Sequence, residues 1–179
     1  MIKILFAGPV GSGKSTQAQL LSQHLNIPLF QTGQITRDLS KEDSDLGKRV
    51  KIIMESGELV DDETIAESLR QAMSGADLNR GFVIDGYPRS LEQLDLFNPG
   101  FDTVLNFKIP DSVVLERLLK RQRIDDTPEA IQKRLGIYYE QTQPLIEHFQ
   151  TLGILKEIDA RKSIKEIEDE IRKVLNLNG

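Results

Sequence analysis

Gly8-Pro9-Val10-Gly11-Ser12-Gly13-Lys14-Ser15 is the segment whose residue types and spacing imply chemistry most directly. It has the pattern G-x-x-x-x-G-K-[ST], placed after an apolar run (2–6) and before a helical one (14–25). Glycines let such a loop curl so that successive backbone N–H groups aim at one phosphate chain. The helix that follows adds its positive N-terminal end. Gly11, Ser12, Gly13, Lys14, Ser15 and Thr16 are therefore expected at the phosphates of a nucleoside triphosphate. Lys14 should reach the β and γ phosphates, and Ser15 should ligate Mg²⁺. A chance glycine-rich turn is the alternative, and both flanks argue against it. The loop alone does not say what is done with the phosphate.

A second stretch, Gly81-Phe82-Val83-Ile84-Asp85-Gly86-Tyr87-Pro88-Arg89, ends an apolar run on an aspartate. A carboxylate there can hold Mg²⁺ through water. The turn beyond it presents Arg89, and Gln93 follows near the start of the next helix. Arg117 and Arg121 stand i, i+4 off the apolar stripe of one helix, with Arg123 and Arg134 close behind. In a chain of net charge −5, basic residues beside a phosphate loop call for an anion. Any one of them could instead pair with Asp125, Asp126 or a surface glutamate; the whole set is harder to explain so. Asp125 and Asp126 read either as acid/base groups or, better, as carboxylates that orient the arginines. His24 and His148 lie in helices without partners in sequence and read as structural. No residue reads as a general base.

These groups need a scaffold. The chain has 179 residues, room for one domain with a sizeable core. It has no cysteine, which removes disulfides, thiolate metal sites and a cysteine nucleophile, and fits a reducing cytoplasm. The negative charge removes the usual footprint of a nucleic-acid binder. No apolar run is long enough for a membrane helix, and the start is too short for a signal peptide. Runs 2–6, 28–30, 82–84, 104–107 and 154–158 read as strands. Between them lie helices: 14–25; one with Leu46, Val50 and Ile53; one with Ile65 and Leu69, opened by Asp61 and Asp62. Asp111 opens a helix with Val114, Leu115, Leu118 and Leu119 inward. Thr127-Pro128-Glu129 opens another with Ile131, Leu135 and Tyr138. Ser163 and Glu166 form a capping box before Ile164, Ile167, Ile171 and Val174. The alternation predicts a parallel sheet with helices on both faces. Residues 31–75 break it with several helix signals and no strand, as an insertion at a strand's C-terminal end would.

The chain resembles the nucleoside monophosphate kinases, and adenylate kinases most closely, from Met1 to about residue 175. The resemblance rests on GPVGSGKSTQAQLL (8–21), TG-x-x-x-R (32–37), LGKRVKIIMESGELVDDE (46–63), GFVIDGYPRSLEQ (81–93), and the run RLLKR…R-x-DD…KRL-x-x-Y-x-x-QT-x-PLI between 117 and 146. It implies a P-loop three-layer α/β/α fold with a five-stranded parallel sheet in the order 2-3-1-4-5. The core would be 1–30 and 76–179, a helical insertion for the monophosphate would span about 31–60, and a lid would be reduced to about 122–126. By resemblance Thr32 and Gly33 meet the AMP base region, Arg37 and Arg89 the AMP phosphate beside Gly86, and Gln93 the adenine edge. Gly57, Leu59 and Val60 line that adenine with backbone. Asp85 belongs to the Mg²⁺ water shell, Arg117 lies on the ATP adenine, and Arg121, Arg123 and Arg134 gather at the transferring phosphoryl group.

The sequence departs from the family in three places. Only Gln122 separates Arg121 from Arg123, where relatives carry a mobile lid. Gln34 replaces the usual aspartate, which puts part of the metal's outer shell on Asp85. Ser15 replaces a usual glycine and restores the generic phosphate-loop pattern. The implied activity is Mg²⁺-dependent ATP + AMP ⇌ 2 ADP. The alternatives are a kinase for CMP, UMP or dAMP, or a catalytically weak ATP-binding protein. A guanine-nucleotide switch is unsupported, since no N-K-x-D motif is present. A monomer is the family default, with an oligomer if a neighbouring subunit covers the lidless site.

Overall fold

The computed structural model describes residues 1–56, 60–121 and 126–177. Five strands, β1 (Ile2–Ala7), β2 (Leu29–Gln31), β3 (Gly81–Asp85), β4 (Thr103–Lys108) and β5 (Leu155–Asp159), form one parallel sheet in the order β2-β3-β1-β4-β5. Every expected strand is present, with the second and the fifth each displaced by one residue.

Alternate residues of a strand point to opposite faces, and the core divides accordingly. Leu5, Ala7, Phe82, Ile84 and Val104 pack one way, with Leu69, Leu145 and Phe149 from the helices. Ile4, Phe6, Val83, Leu105 and Phe107 pack the other way, with Ala18, Leu21, Ile167 and Ile171. Ile4, Leu5 and Phe6 are all fully buried, which is why β1 is apolar throughout and central.

The helices are α1 (Lys14–Leu25), α2 (Thr32–Leu39), α3 (Asp45–Glu55), α4 (Asp62–Ser74), α5 (Leu91–Leu96), α6 (Asp111–Arg121), α7 (Pro128–Ile137), α8 (Gln143–Thr151) and α9 (Ile164–Val174). Three expected caps are in place: Asp61 accepts from the Thr64 N–H, Thr127 from that of Ala130, and Ser163 closes a capping box with Glu166. Asp111, expected to cap α6, is instead its first residue and accepts from the Tyr139 hydroxyl at 2.7 Å. One π turn, Tyr138–Thr142, joins α7 to α8.

Two expectations about the core fail. Leu115 and Leu119 are 38% and 44% exposed, and Ile164 is 60% exposed. Helix α6 is covered on one side only, so Val114 and Leu118 reach the core while Leu115 and Leu119, about 100° further round, do not. Ile164 sits in the first turn of α9, ahead of its buried stripe.

Val114, Leu118, Ile131 and Leu135 form a third cluster, against which Val10 of the glycine loop packs. That cluster ties the arginine-bearing helices α6 and α7 to the loop after β1. The segments following β1, β2 and β3 all leave from the same edge of the sheet, where a parallel α/β sheet holds its ligands. No helix among the described residues is long and apolar enough to cross a membrane.

Candidate active site

The strand ends open on a cleft of about 660 Å³. The loop after β1 forms its floor. Gly11 has φ +76°, and a Cβ there would lie 2.9 Å from Leu118 Cγ. Gly13, at φ +92°, is the N-cap of α1. Only glycine takes both conformations without strain. Ser12 is fully buried, and it alone of the expected loop residues 11–16 does not line the cleft. Its hydroxyl oxygen accepts instead from Lys14 Nζ at 3.3 Å, and Pro9 O accepts from the same amine at 2.7 Å.

Lys14 keeps some surface, yet its amine lies deep among protein atoms. Burial pulls its pKa from 10.5 to about 8; Asp85 opposes the fall, while Arg89 and Arg121 add to it. All three therefore lie within electrostatic reach of the amine.

Asp85 ends β3 at 6% exposure. Ser15 Oγ donates to its Oδ2 at 2.5 Å. Gln31, paired with Asp85 across the β2–β3 register, donates Nε2–H to the same oxygen at 3.3 Å. Two oxygen donors in contact beside a phosphate loop suit Mg²⁺, which takes few protein ligands and completes its shell with water and phosphate. No cluster of three or more acidic or histidine side chains with metal-binding geometry occurs among the described residues.

On the far side of the cleft, Thr32 Oγ1 donates to Gly86 O at 2.9 Å, and Arg89 Nε donates to the same carbonyl at 2.8 Å. Burial lowers the Arg89 pKa, with Asp85 opposing and Arg134 adding; a guanidinium stays charged regardless. Thr142, in the π turn, donates Oγ1–H to Arg89 O at 2.8 Å. Gln93 is 4% exposed, with its amide bonded to Arg89 N–H and to Asp62.

Asp126 gathers the arginines from α6 and α7. Its carboxylate, with no exposed surface, accepts two bonds from Arg121 at 2.8 and 2.7 Å and one from Arg134 at 3.1 Å. The expected orienting role of the acidic pair holds for Asp126.

A family model described as adenylate kinase matches residues 6–154. The chain belongs to the adenylate kinase family. Adenylate kinase from Prochlorococcus marinus is 40% identical over 176 residues, spanning 94% of this chain and 96% of the relative. That from Corynebacterium urealyticum is 39% identical over 175 residues, with the same coverage, 94% and 96%. Adenylate kinase 1 of Nostoc sp. is 38% identical over 182 residues, 98% and 99% of the two chains. Membership makes the chain a phosphotransferase acting between ATP and AMP.

The adenylate kinase residues expected from sequence converge. Gly11, Gly13, Lys14, Ser15, Thr16, Thr32, Gly33, Arg37, Val60, Asp85, Gly86, Arg89, Gln93, Arg117, Arg121 and Arg134 all line the cleft. Gly57, Leu59, Arg123 and Asp125 lie outside the described residues, as does most of the expected lid. Gln34 lines the cleft, but its side chain is not turned to Asp85. Its Nε2 donates to Asp38 at 2.9 Å, and its Oε1 accepts from Arg37 at 2.9 and 3.2 Å. The amide orders Arg37, and Gln31 is the side chain beside Asp85. Both histidines stand clear of the cleft, His24 between α1 and α9 and His148 against Phe149.

The sequence reading missed Gln31, Asp62, Tyr138 and Thr142. Asp62 lay in the family run 46–63, and Tyr138 and Thr142 in the run ending in QT-x-PLI; Gln31 left no signal.

Proposed function

We propose that this chain catalyses reversible, Mg²⁺-dependent phosphoryl transfer, ATP + AMP ⇌ 2 ADP, in the one cleft. The observation that carries the reading is that Lys14, Arg89, Arg121 and Arg134 line the one cleft that also holds the Ser15–Asp85 pair. The donor triphosphate lies along the loop 8–15, with Lys14 at its β and γ phosphates and Arg117 against its base. The acceptor lies across the cleft, its phosphate on Arg37 and Arg89 and its base toward Val60 and Gln93. Arg121 and Arg134, held by Asp126, stand at the transferring group.

Two nucleotides bring about six negative charges, and unit charges 4 Å apart repel by ~4 kcal/mol at an effective dielectric of ~20. The arginines and Lys14 offset that repulsion and hold the reacting oxygens in line. The AMP phosphate is already an anionic nucleophile, so no base is needed. Ser15 and, through water, Asp85 would hold Mg²⁺, which supplies further charge neutralisation at the β and γ oxygens.

The helical part at 31–60 serves as the AMP-side cover and 122–126 as a shortened lid. A short lid excludes less water, so phosphate release from ATP without AMP should exceed that of a lidded relative. Equal or lower release counts against the shortened lid. The enzyme works as a monomer in the cytoplasm, the first by family default and the second in keeping with a cysteine-free chain.

The direct test mixes protein, ATP, AMP and Mg²⁺ and follows ADP. No ADP under saturating Mg·ATP would refute the reading. A panel with CMP, UMP and dAMP measures how strictly AMP is preferred as acceptor; the family relationship favours AMP over these alternatives.

A further inference from the structure

We propose that Asp62 is a positioning residue for base selection: its carboxylate locks the Gln93 amide in the orientation that matches adenine. The proposal rests on the reading above that Gln93 faces the acceptor base.

Gln93 lines the cleft and is almost wholly buried. Its Nε2 donates to Asp62 Oδ1 at 2.6 Å, and its Oε1 accepts from the backbone N–H of Arg89 at 2.7 Å. An amide side chain can turn over, exchanging its oxygen for its NH₂. Here the turn would set carbonyl oxygen against carboxylate on one side and NH₂ against a backbone N–H on the other. A carboxylate only accepts, and a backbone N–H only donates.

Both holders are fixed. Asp62 is the first residue of α4, next to the N-cap Asp61, whose side chain accepts from Thr64 N–H at 2.9 Å. Arg89 is clamped through Gly86 and Thr142. Gln93's own N–H donates to Ser90 Oγ at 3.2 Å.

With two bonds made, the amide keeps one N–H and one lone pair. Their order is set. They match the amino group of adenine and the adjacent N1, a donor beside an acceptor. Hypoxanthine presents an oxygen acceptor and a ring N–H at those places, the reverse order. A free amide would turn over to serve it; a locked one does not.

Asp62 reads from sequence as an acid in a helix's first turn, 31 residues from Gln93. Its second task is visible only once α4 and α5 are packed together.

The test is steady-state kinetics on the full chain with ATP as donor and AMP or IMP as acceptor, for wild type, Asp62→Ala, Asp62→Asn and Gln93→Ala. A bidentate base contact is worth roughly 5- to 150-fold in discrimination. Asp62→Ala should raise KM for AMP about tenfold, leave KM for ATP unchanged, and narrow the preference for AMP over IMP about tenfold. Asp62→Asn keeps an acceptor oxygen at the same place and should restore most of the AMP KM. An unchanged AMP KM in Asp62→Ala, with Gln93→Ala raising it, overturns the role of Asp62 alone. An unchanged AMP KM in Gln93→Ala overturns the reading beneath it. An equal rise in both KM values in Asp62→Ala marks general damage and also overturns the proposal. Where Asp62→Ala does not fold, the wild-type preference decides: more than about tenfold for AMP over IMP is expected, and less overturns it.

Discussion

Burial of Lys14 makes a quantitative claim about protons. The amine's pKa falls from 10.5 to about 8 because protein replaces water around it and Asp85 only partly compensates. That fall represents about 3–4 kcal/mol of lost stabilisation of the charged form. In the unfolded chain the lysine keeps its proton to about pH 10.5, so between pH 8 and 10.5 the unfolded state binds more protons. Over that window this group makes the free protein more stable as pH rises, and below pH 8 its full cost is present. A triphosphate in the loop supplies the missing counter-charge and should return the amine to its ordinary range. Binding then takes up a proton, about half per nucleotide at pH 8, about a tenth at pH 7 and about nine tenths at pH 9. Affinity should be flat below pH 8 and fall about tenfold per pH unit above it. Calorimetric titration with Mg²⁺ and a non-hydrolysable ATP analogue, repeated in buffers of different ionisation enthalpy, reads the proton number directly. Lys14→Met should fold normally, transfer no phosphoryl group and lose the uptake. Zero uptake at pH 8 in the wild type, or the same uptake in Lys14→Met, refutes the argument.

Three further expectations follow from particular contacts. Arg89→Ala should raise KM for AMP roughly 10- to 100-fold, the worth of one charge-assisted contact, with ATP binding little changed; an unaltered dependence on AMP concentration counts against the placement of the acceptor phosphate. Asp85→Asn should raise the Mg²⁺ concentration for half-maximal activity about tenfold, read by titrating free Mg²⁺, because a neutral amide attracts metal-bound water less strongly; no change would move the metal elsewhere. Tyr87 is fully buried, and its hydroxyl lies 2.5 Å from Gln93 O and 3.0 Å from Phe97 O. Tyr87→Phe should cost about 1–2 kcal/mol and lower Tm by roughly 2–8 °C, measured by thermal melting; an unchanged Tm would mean these carbonyls find other donors.

Much of the site was legible because it is written in short contiguous stretches. A glycine loop between a strand and a helix has the form of an anion cradle, so residues 8–16 could be read as one from pattern alone, and all of 11–16 but Ser12 line the cleft. Asp85 and Arg89 belong to one strand-and-turn unit, and their placement follows from where the strand must end. Helix starts at Asp61, Thr127 and Ser163 were readable because a cap bonds to an N–H three residues away. What failed was the exposure of Leu115, Leu119 and Ile164, since periodicity gives a helix's apolar side but not how much of that side a neighbour covers.

By itself, then, the sequence determined the element order, the glycine loop that follows the first strand, and the cationic residues available to the cleft. Tertiary structure alone decided which polar side chains hold them. Gln31 reaches Asp85 from 54 residues away because β2 lies beside β3 with those two residues in register. Asp62 orders Gln93 because α4 packs on α5, and Thr142 holds the Arg89 backbone through a π turn 53 residues further along the chain. A hydrogen bond depends on distances of a few tenths of an ångström, and spacing along the chain specifies such distances only within one turn or one loop. Between elements they are set by how the sheet and its helices pack.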